Sequence, residues 1–226
     1  MTFLKLKEPI PVSRNEEFTP FAFSKEWVSY LPIPDRVESP PVLDVLERRQ
    51  THRTFRALNR SGLSSLLWHS AKTHEMRRRE DGCFWQHRAV PSAGGCHPIH
   101  ILVLPPKLDG STLVAYDSVA HALIELRDVL PSTIRNFRNE VEQIVRPQDG
   151  TILIFAADYS QTYRSYQNAE SLVWRDAGVL LMGLAIVSEA FELNFCPLGT
   201  TADAFVEKAF GSPCLGGVGA CIVGAR

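Results

Sequence analysis

Arg88-Ala89-Val90-Pro91-Ser92-Ala93-Gly94-Gly95-Cys96-His97-Pro98-Ile99-His100-Ile101-Leu102-Val103-Leu104 is the stretch from which the rest of the chain is read. Its second half, residues 99 to 104, is rich in aliphatic and β-branched side chains. Pro98 bounds it on one side and Pro105-Pro106 on the other, which predicts a buried strand. The first half carries little bulk. Gly94 and Gly95 permit backbone angles closed to other residues and allow a ligand to approach the main chain. Ser92 adds a hydroxyl. Two readings stay open on these residues alone: an ordinary tight turn into a strand, or a loop shaped around a ligand.

The chain of 226 residues suits one large domain or two small ones and can bury a sizeable core. Hydrophobic residues make up 45% and charged residues 22%, the balance of a globular protein, and the net charge of -1 gives no global field for nucleic acid or an anionic membrane. Arg77-Arg78-Arg79 has no aromatic interleaving and runs directly into Glu80-Asp81, so it reads as solvated surface. The five cysteines, at 83, 96, 196, 214 and 221, form no CxxC pair, which points to a reducing compartment. The first residues lack a signal-peptide pattern, and the apolar run from Ala177 to Val187 is too short to span a bilayer. A cytoplasmic protein is expected.

Residues 1–41 hold prolines at 9, 11, 20, 32, 34, 40 and 41, with Phe18, Phe21, Phe23, Trp27 and Tyr30 between them. Such density excludes a long helix and predicts an extended arm packed on its own domain or on a partner subunit. Residues 42–226 read as a single domain. Helices are expected over 42–49, 63–74, 120–129, 133–145, 171–193 and 202–210, and strands over 112–116, 151–157 and 217–224, beside 99–104. Residues 77–86 read as a polar loop, 194–200 as a turn, and Gly216-Gly217-Val218-Gly219 as a turn before the last strand. The helix over 171–193 is apolar on nearly every side and must be buried all round, for which a subunit interface is one solution. Helices mixed with short buried strands indicate an α+β fold.

In Arg49-Gln50-Thr51-His52-Arg53-Thr54-Phe55, two arginines lie four apart with a hydroxyl residue between them. A turned or extended backbone would let Arg49, Thr51 and Arg53 converge on a phosphate, since guanidinium groups offer planar bidentate donors. A solvated basic loop accounts for the same spacing. Dinucleotide and triphosphate glycine motifs are absent, as is GxSxG. Cys96, His97 and His100 invite a metal reading, but in an extended segment His97 and His100 fall on opposite faces and no second ligand pair follows. No metal is expected. Cys196, between Phe195 and Pro197, reads as a packed small hydrophobe.

Taken together, the arginine stretch and the Pro-Ser-Ala-Gly-Gly stretch resemble the nitroreductase superfamily of FMN-dependent oxidoreductases, in particular its azoline-oxidase-like, SagB-type dehydrogenase branch. Arg49 to Phe55 is similar to the family's Arg-Arg-Ser-x-Arg-x-Phe segment, and Pro91 to Pro98 to its Pro-Ser-Ala-Gly-x-x-x-Pro. Val114-Ala115-Tyr116-Asp117 with His121-Ala122-Leu123, Arg175-Asp176-Ala177-Gly178, and Leu193-Asn194-Phe195-Cys196-Pro197-Leu198-Gly199 are further likenesses in the same order. They extend over roughly residues 27–226.

The resemblance implies a nitroreductase-like fold, a central mixed and mainly antiparallel sheet flanked by helices. It also implies a homodimer with two FMN sites at the interface. Arg49, Gln50, Thr51 and Arg53 would bind the phosphate. Pro91, Ser92, Ala93 and Gly94 would line the ring and ribityl chain, and Pro197, Leu198 and Gly199 would set backbone groups near the flavin N5 edge. The implied reaction is dehydrogenation of a peptide-derived or other small natural-product substrate, with a hydride passing to N5 and a proton to Tyr166 or Tyr163. Other biosynthetic enzymes would be its partners. Three departures stand in this sequence. Gln50 replaces an arginine, Tyr163-Arg164-Ser165-Tyr166 stands where the azoline oxidases carry a Lys-Tyr pair, and Gly178-Val179 replaces Gly-His. They keep two alternatives in view: an NAD(P)H-dependent nitro, quinone or flavin reductase, and a flavin-free scaffolding subunit.

Overall fold

The structure is a computed structural model that describes residues 5–12, 20–25, 27–35, 40–79, 84–106 and 112–226. Phe18 and Cys83 lie outside the described residues. In chain order the strands are β1 (Ile10–Pro11), β2 (Val28–Tyr30), β3 (Glu75–Arg78), β4 (Phe84–His87), β5 (Ile99–Leu104), β6 (Val114–Asp117), β7 (Ala122–Glu125), β8 (Thr151–Asp158), β9 (Tyr166–Gln167), β10 (Leu193–Leu198) and β11 (Leu215–Ala225). The helices are α1 (Val42–Arg48), α2 (Arg60–Ala71), α3 (Pro131–Ile144), α4 (Tyr159–Ser165), α5 (Glu170–Ala190) and α6 (Asp203–Phe210).

Ile99–Leu104 is a strand as its composition predicts, and it is the middle one of a seven-stranded sheet ordered β10-β11-β8-β5-β6-β7-β2. Every pairing in that sheet is antiparallel. All eight residues of β8 are buried, because helices cover both faces of the sheet. Alternation along β5 sends Ile99, Ile101 and Val103 towards α2 and α5, and Leu102 and Leu104 towards α3 and α6. Leu63, Leu66, Leu67 and Ala71 form the buried face of α2, as their spacing predicts. The fold is α+β.

Four expectations need correction. Within residues 120–129 the chain forms the short strand β7 (Ala122–Glu125) between turns instead of a helix. The Asp117 carboxylate accepts the N–H of Val119 (3.0 Å) and of Ala120 (2.9 Å), which turns the chain from β6 back into β7. His121 completes that turn at φ 51, its ring held by Ser64 and Tyr116, each at 2.8 Å. Glu75–Arg78 and Phe84–His87, which take in both ends of the expected loop, pair as antiparallel strands β3 and β4, with Arg77 over the Trp85 ring at 5.6 Å. Residues 193–198 pair with β11 along their full length. The glycine run at 216–219 lies inside β11, where a bulge falls between Gly217 and Gly219. A Cβ on Gly217 would come within 2.4 Å of the Ala202 and Asp203 backbone, so this position admits no side chain.

The described residues of the arm pack on their own chain. β2 extends the sheet beside β7, β1 pairs with β9, and Phe21 and Phe23 pack edge-on against Phe210. Burial of α5 all round is not met within one chain. Glu170, Trp174, Gly178 and Met182 form an exposed stripe, with Trp174 and Met182 each 43% accessible. At 21 residues α5 has the length and hydropathy of a membrane span, beyond what the run at 177–187 alone suggests. Its other faces pack against the sheet and α2, and Asp176 and Glu189 are buried in hydrogen bonds.

Candidate functional site

Ser92 to Cys96 forms a single tight turn in which Gly95 N–H donates to Ser92 O (3.0 Å) and Cys96 N–H to Ala93 O (3.2 Å). Gly94 and Gly95 both take left-handed conformations, at φ 61 and φ 64. The turn is fastened to α5. The Asp176 carboxylate accepts Ser92 Oγ–H at 2.5 Å and Ala93 N–H at 3.2 Å. Ser92 Oγ in turn accepts His97 N–H at 2.9 Å. Burial raises the Asp176 pKa above the usual carboxylate range, and the two hydrogen bonds pull the other way. Sequence reasoning assigned Asp176 no part in this. The signal was an acid on the buried side of an apolar helix, which must find donors.

The Arg49–Phe55 segment is built differently. It leaves α1 at Arg49 and runs beside the edge strand β10, with His52 N–H donating to Phe195 O (3.0 Å) and Asn194 Nδ2 to Thr54 O (2.8 Å). Arg56 then pairs with Ala225. Gln50, Thr51 and Arg53 are exposed and Arg49 is half-buried. Neither arginine side chain has a hydrogen-bond or ion-pair partner among the described residues. Arg53 lies near Cys196, whose thiol is pushed up by burial while the guanidinium charge acts in the opposite direction. Pro197 and Gly199 are exposed at the end of the same strand, and Leu198 is buried. The structure therefore brings Arg49, Thr51, Arg53 and residues 197–199 to one edge of the sheet.

Tyr166 meets the glycine turn: a Cβ built on Gly94 would lie 3.2 Å from Tyr166 Oη. Tyr163 does not share that setting. Burial, followed by its hydrogen bond to Glu170, pushes its hydroxyl up to about 12. Arg164 is buried. His97, at φ 48, breaks the extended alternation, so His97 and His100 line one cavity and do not face opposite ways. No group of three metal-ligating side chains occurs among the described residues.

Within one chain the two halves are set apart. Phe195, beside His52, is level through Val223 with Thr151, whereas Ile99, which follows the glycine turn, is level with Ala157. That is about 20 Å along β8, with about 14 Å more across three strand spacings.

No protein-family model and no curated protein matches the sequence. Among solved structures, the chain is similar to a protein described as a nitroreductase from Ralstonia eutropha, at 22% identity and a TM-score of 0.66, covering 97% of this chain and 98% of that one. A protein described as a nitroreductase from Anabaena variabilis gives 18% identity and a TM-score of 0.58, with 85% of this chain matched to 40% of that one. The Escherichia coli microcin synthetase McbBCD complex, with truncated pro-MccB17 bound, gives 13% identity and a TM-score of 0.57, covering all of this chain and 84% of the other. The sheet order, the helices on both its faces and these likenesses agree: the chain has the nitroreductase fold.

Proposed function

We propose that the protein is an FMN-dependent oxidoreductase acting as a homodimer, in which each flavin is held by the arginine edge of one copy and the glycine turn of the other. The carrying observation is the pair of arginines without partners beside residues 197–199, on an edge set apart from a preformed glycine turn. Two unpaired guanidinium groups with Thr51 between them suit a phosphate. No described side chain lies within 4 Å of a Cβ built on Gly199, so the strand end leaves room for a flat group. The exposed Trp174–Met182 stripe of α5 supports a second copy.

FMN, when bound, supplies a two-electron acceptor. Arg49, Thr51 and Arg53 bind its phosphate, and Gln50 adds a neutral donor where a third cation would otherwise stand. Asp176 holds Ser92 and Ala93 so that the turn presents its backbone in a fixed shape. Tyr166 is the proposed acceptor of the substrate proton, a reading supported by its hydroxyl standing beside Gly94. The substrate class, a peptide-derived or other small natural product undergoing dehydrogenation, is supported by the likeness to the microcin synthetase complex over the whole chain.

The test is the visible absorption spectrum of the purified protein before and after incubation with FMN. Flavin bands that co-elute with the protein, and that Arg49→Ala loses, are expected. A protein that stays colourless contradicts the proposal, and rapid bleaching by NAD(P)H alone contradicts the dehydrogenase direction.

A further inference from the structure

Between arm residues 20–25 and the near end of β5, β6 and β7 lies a cavity of about 320 Å³ that contains none of the residues assigned to FMN. Arg88 stands in its wall. The guanidinium donates through Nε (3.2 Å) and Nη2 (2.7 Å) to a single acceptor, the neutral Gln86 Oε1, which already accepts Thr73 Oγ1–H at 2.9 Å. No carboxylate pairs with Arg88 among the described residues. Asp117, also in the wall, is occupied by Lys25 Nζ at 2.9 Å and by two backbone N–H groups.

Charge bookkeeping then fixes the kind of ligand. Burial, followed by the Arg88 charge, pushes His97 down to about 3, and burial pushes His100 down to about 4, so both rings are neutral at neutral pH. Burial brings Arg88 down only to about 10, so it remains a cation. Lys25, Arg88 and Asp117 therefore leave the wall with a net charge of +1. A half-buried cation whose hydrogen bonds go only to a neutral acceptor favours an anionic partner. One net positive charge suits a monoanion such as a carboxylate better than a phosphate dianion. The His100 Nε2 atom is buried without a partner and supplies one further polar contact. Tyr116, Ser118 and Gln161 add further polar groups, and the apolar part of the wall is largely aromatic: Phe21 and Phe23 stand edge-on to His100, at 6.3 and 5.3 Å between ring centres, and Phe84 and Ile124 line the same space. A volume of this size falls at the small end of ligand pockets.

We infer that this cavity is a binding site for a small monocarboxylate with an aromatic or similarly flat apolar body, its carboxylate on Arg88 and its body against Phe21, Phe23 and Phe84. The site does not depend on the flavin proposal, since its ligand is read by binding and not by turnover.

The experiment is isothermal titration of the purified full-length protein with 3-phenylpropionate and with its neutral amide, 3-phenylpropanamide. The carboxylate is expected to bind at least about tenfold more tightly, the least that one charge-assisted contact of about 1.5 kcal/mol contributes. Arg88→Gln should abolish the preference. Ala22→Trp, which places bulk in the cavity from the arm and leaves Arg88 intact, should abolish binding of both compounds. Equal affinity for acid and amide in the wild-type protein overturns the inference, as does a preference that survives Arg88→Gln or binding that survives Ala22→Trp. Absence of binding by either compound up to about 10 mM, weaker than about 3 kcal/mol, also overturns it.

Discussion

The Pro91–Gly95 turn and the Arg49–Phe55 segment carry the two halves of the proposed flavin site, and they are held in opposite ways. Internal backbone hydrogen bonds and a buried carboxylate fasten the turn, so its shape exists before any ligand arrives. The arginine segment is fixed by main-chain hydrogen bonds to β10 and Gln148 and by the buried Phe55, while Arg53 stands in solvent, Arg49 is half-buried, and neither has a hydrogen-bond or ion-pair partner among the described residues. Shape is prepared in one half, and charge is left uncommitted in the other. A variant in the turn should therefore change stability first, and a variant in the segment should change ligand affinity first.

Asp176→Ala should sharpen that contrast most. It strands the Ser92 hydroxyl and the Ala93 N–H in a half-buried setting, each at about 1–3 kcal/mol. A loss of about 2–5 kcal/mol would lower the melting temperature by roughly 5–15 °C in a chain of this size, as read by differential scanning calorimetry. An unchanged melting temperature would show that Asp176 does not fasten the turn.

Arg49→Ala and Arg53→Ala act on the other half. Each removes a charge-assisted contact of about 1.5–3 kcal/mol, so each should weaken FMN binding roughly 10- to 150-fold in a fluorescence titration. Arg53 is exposed and unpaired, so the melting temperature of the flavin-free protein should move little for Arg53→Ala. Wild-type flavin affinity in both variants would refute the phosphate assignment.

Acid should act on the region around the turn before it acts on the arginine edge. The folded-state pKa of His97 is depressed to about 3, so its contribution to stability is complete above the ordinary histidine value near 6.5 and is lost as pH falls towards 3. Asp176 has the opposite sign, because its raised pKa favours the folded state at low pH. Denaturant unfolding between pH 7 and 4 should show a loss for which His97 contributes up to about 1.4 kcal/mol per pH unit, and His97→Asn should flatten the slope. An identical slope in the variant would remove His97 from the account.

Gly94→Ala is the mildest of these changes. The backbone there is at φ 61, which costs a residue with a side chain about 1–2 kcal/mol, and the new methyl group would stand 3.2 Å from Tyr166 Oη. Destabilisation of that order is expected in chemical denaturation. A neutral effect would mean that the turn relaxes readily.

Local chemistry was legible in the sequence where it was self-sufficient. The run at 99–104 has the composition of a covered strand, and α2 shows its buried face as leucines three and four apart. The elements misread are those fixed by distant partners. Residues 122–125 form a strand because β6 lies on one side and β2, from the arm, on the other. Residues 193–198 are a strand through full pairing with β11. No window of neighbouring residues contains that information. For the site, the motifs gave the residue types. The Asp176 clamp, the placement of Arg53 on β10 and the opening left between the two halves depend on contacts 83 or more residues apart in sequence. The meeting of His97 and His100 in one cavity depended on a single positive φ that spacing does not show.

The division of the site between two copies is tested most directly by mixing two damaged proteins. One carries Arg49→Ala with Arg53→Ala, and the other carries Gly94→Phe, which sets a bulky ring on the glycine turn; each alone should bind little FMN. If the halves come from different copies, a mixed dimer contains one site with an intact arginine edge and an intact turn. Mixing under conditions that exchange subunits should then restore FMN binding to about half of the mixed dimers' sites. If both halves of each site belonged to one chain, every site in the mixture would remain damaged and flavin fluorescence would stay unquenched, which would contradict the account.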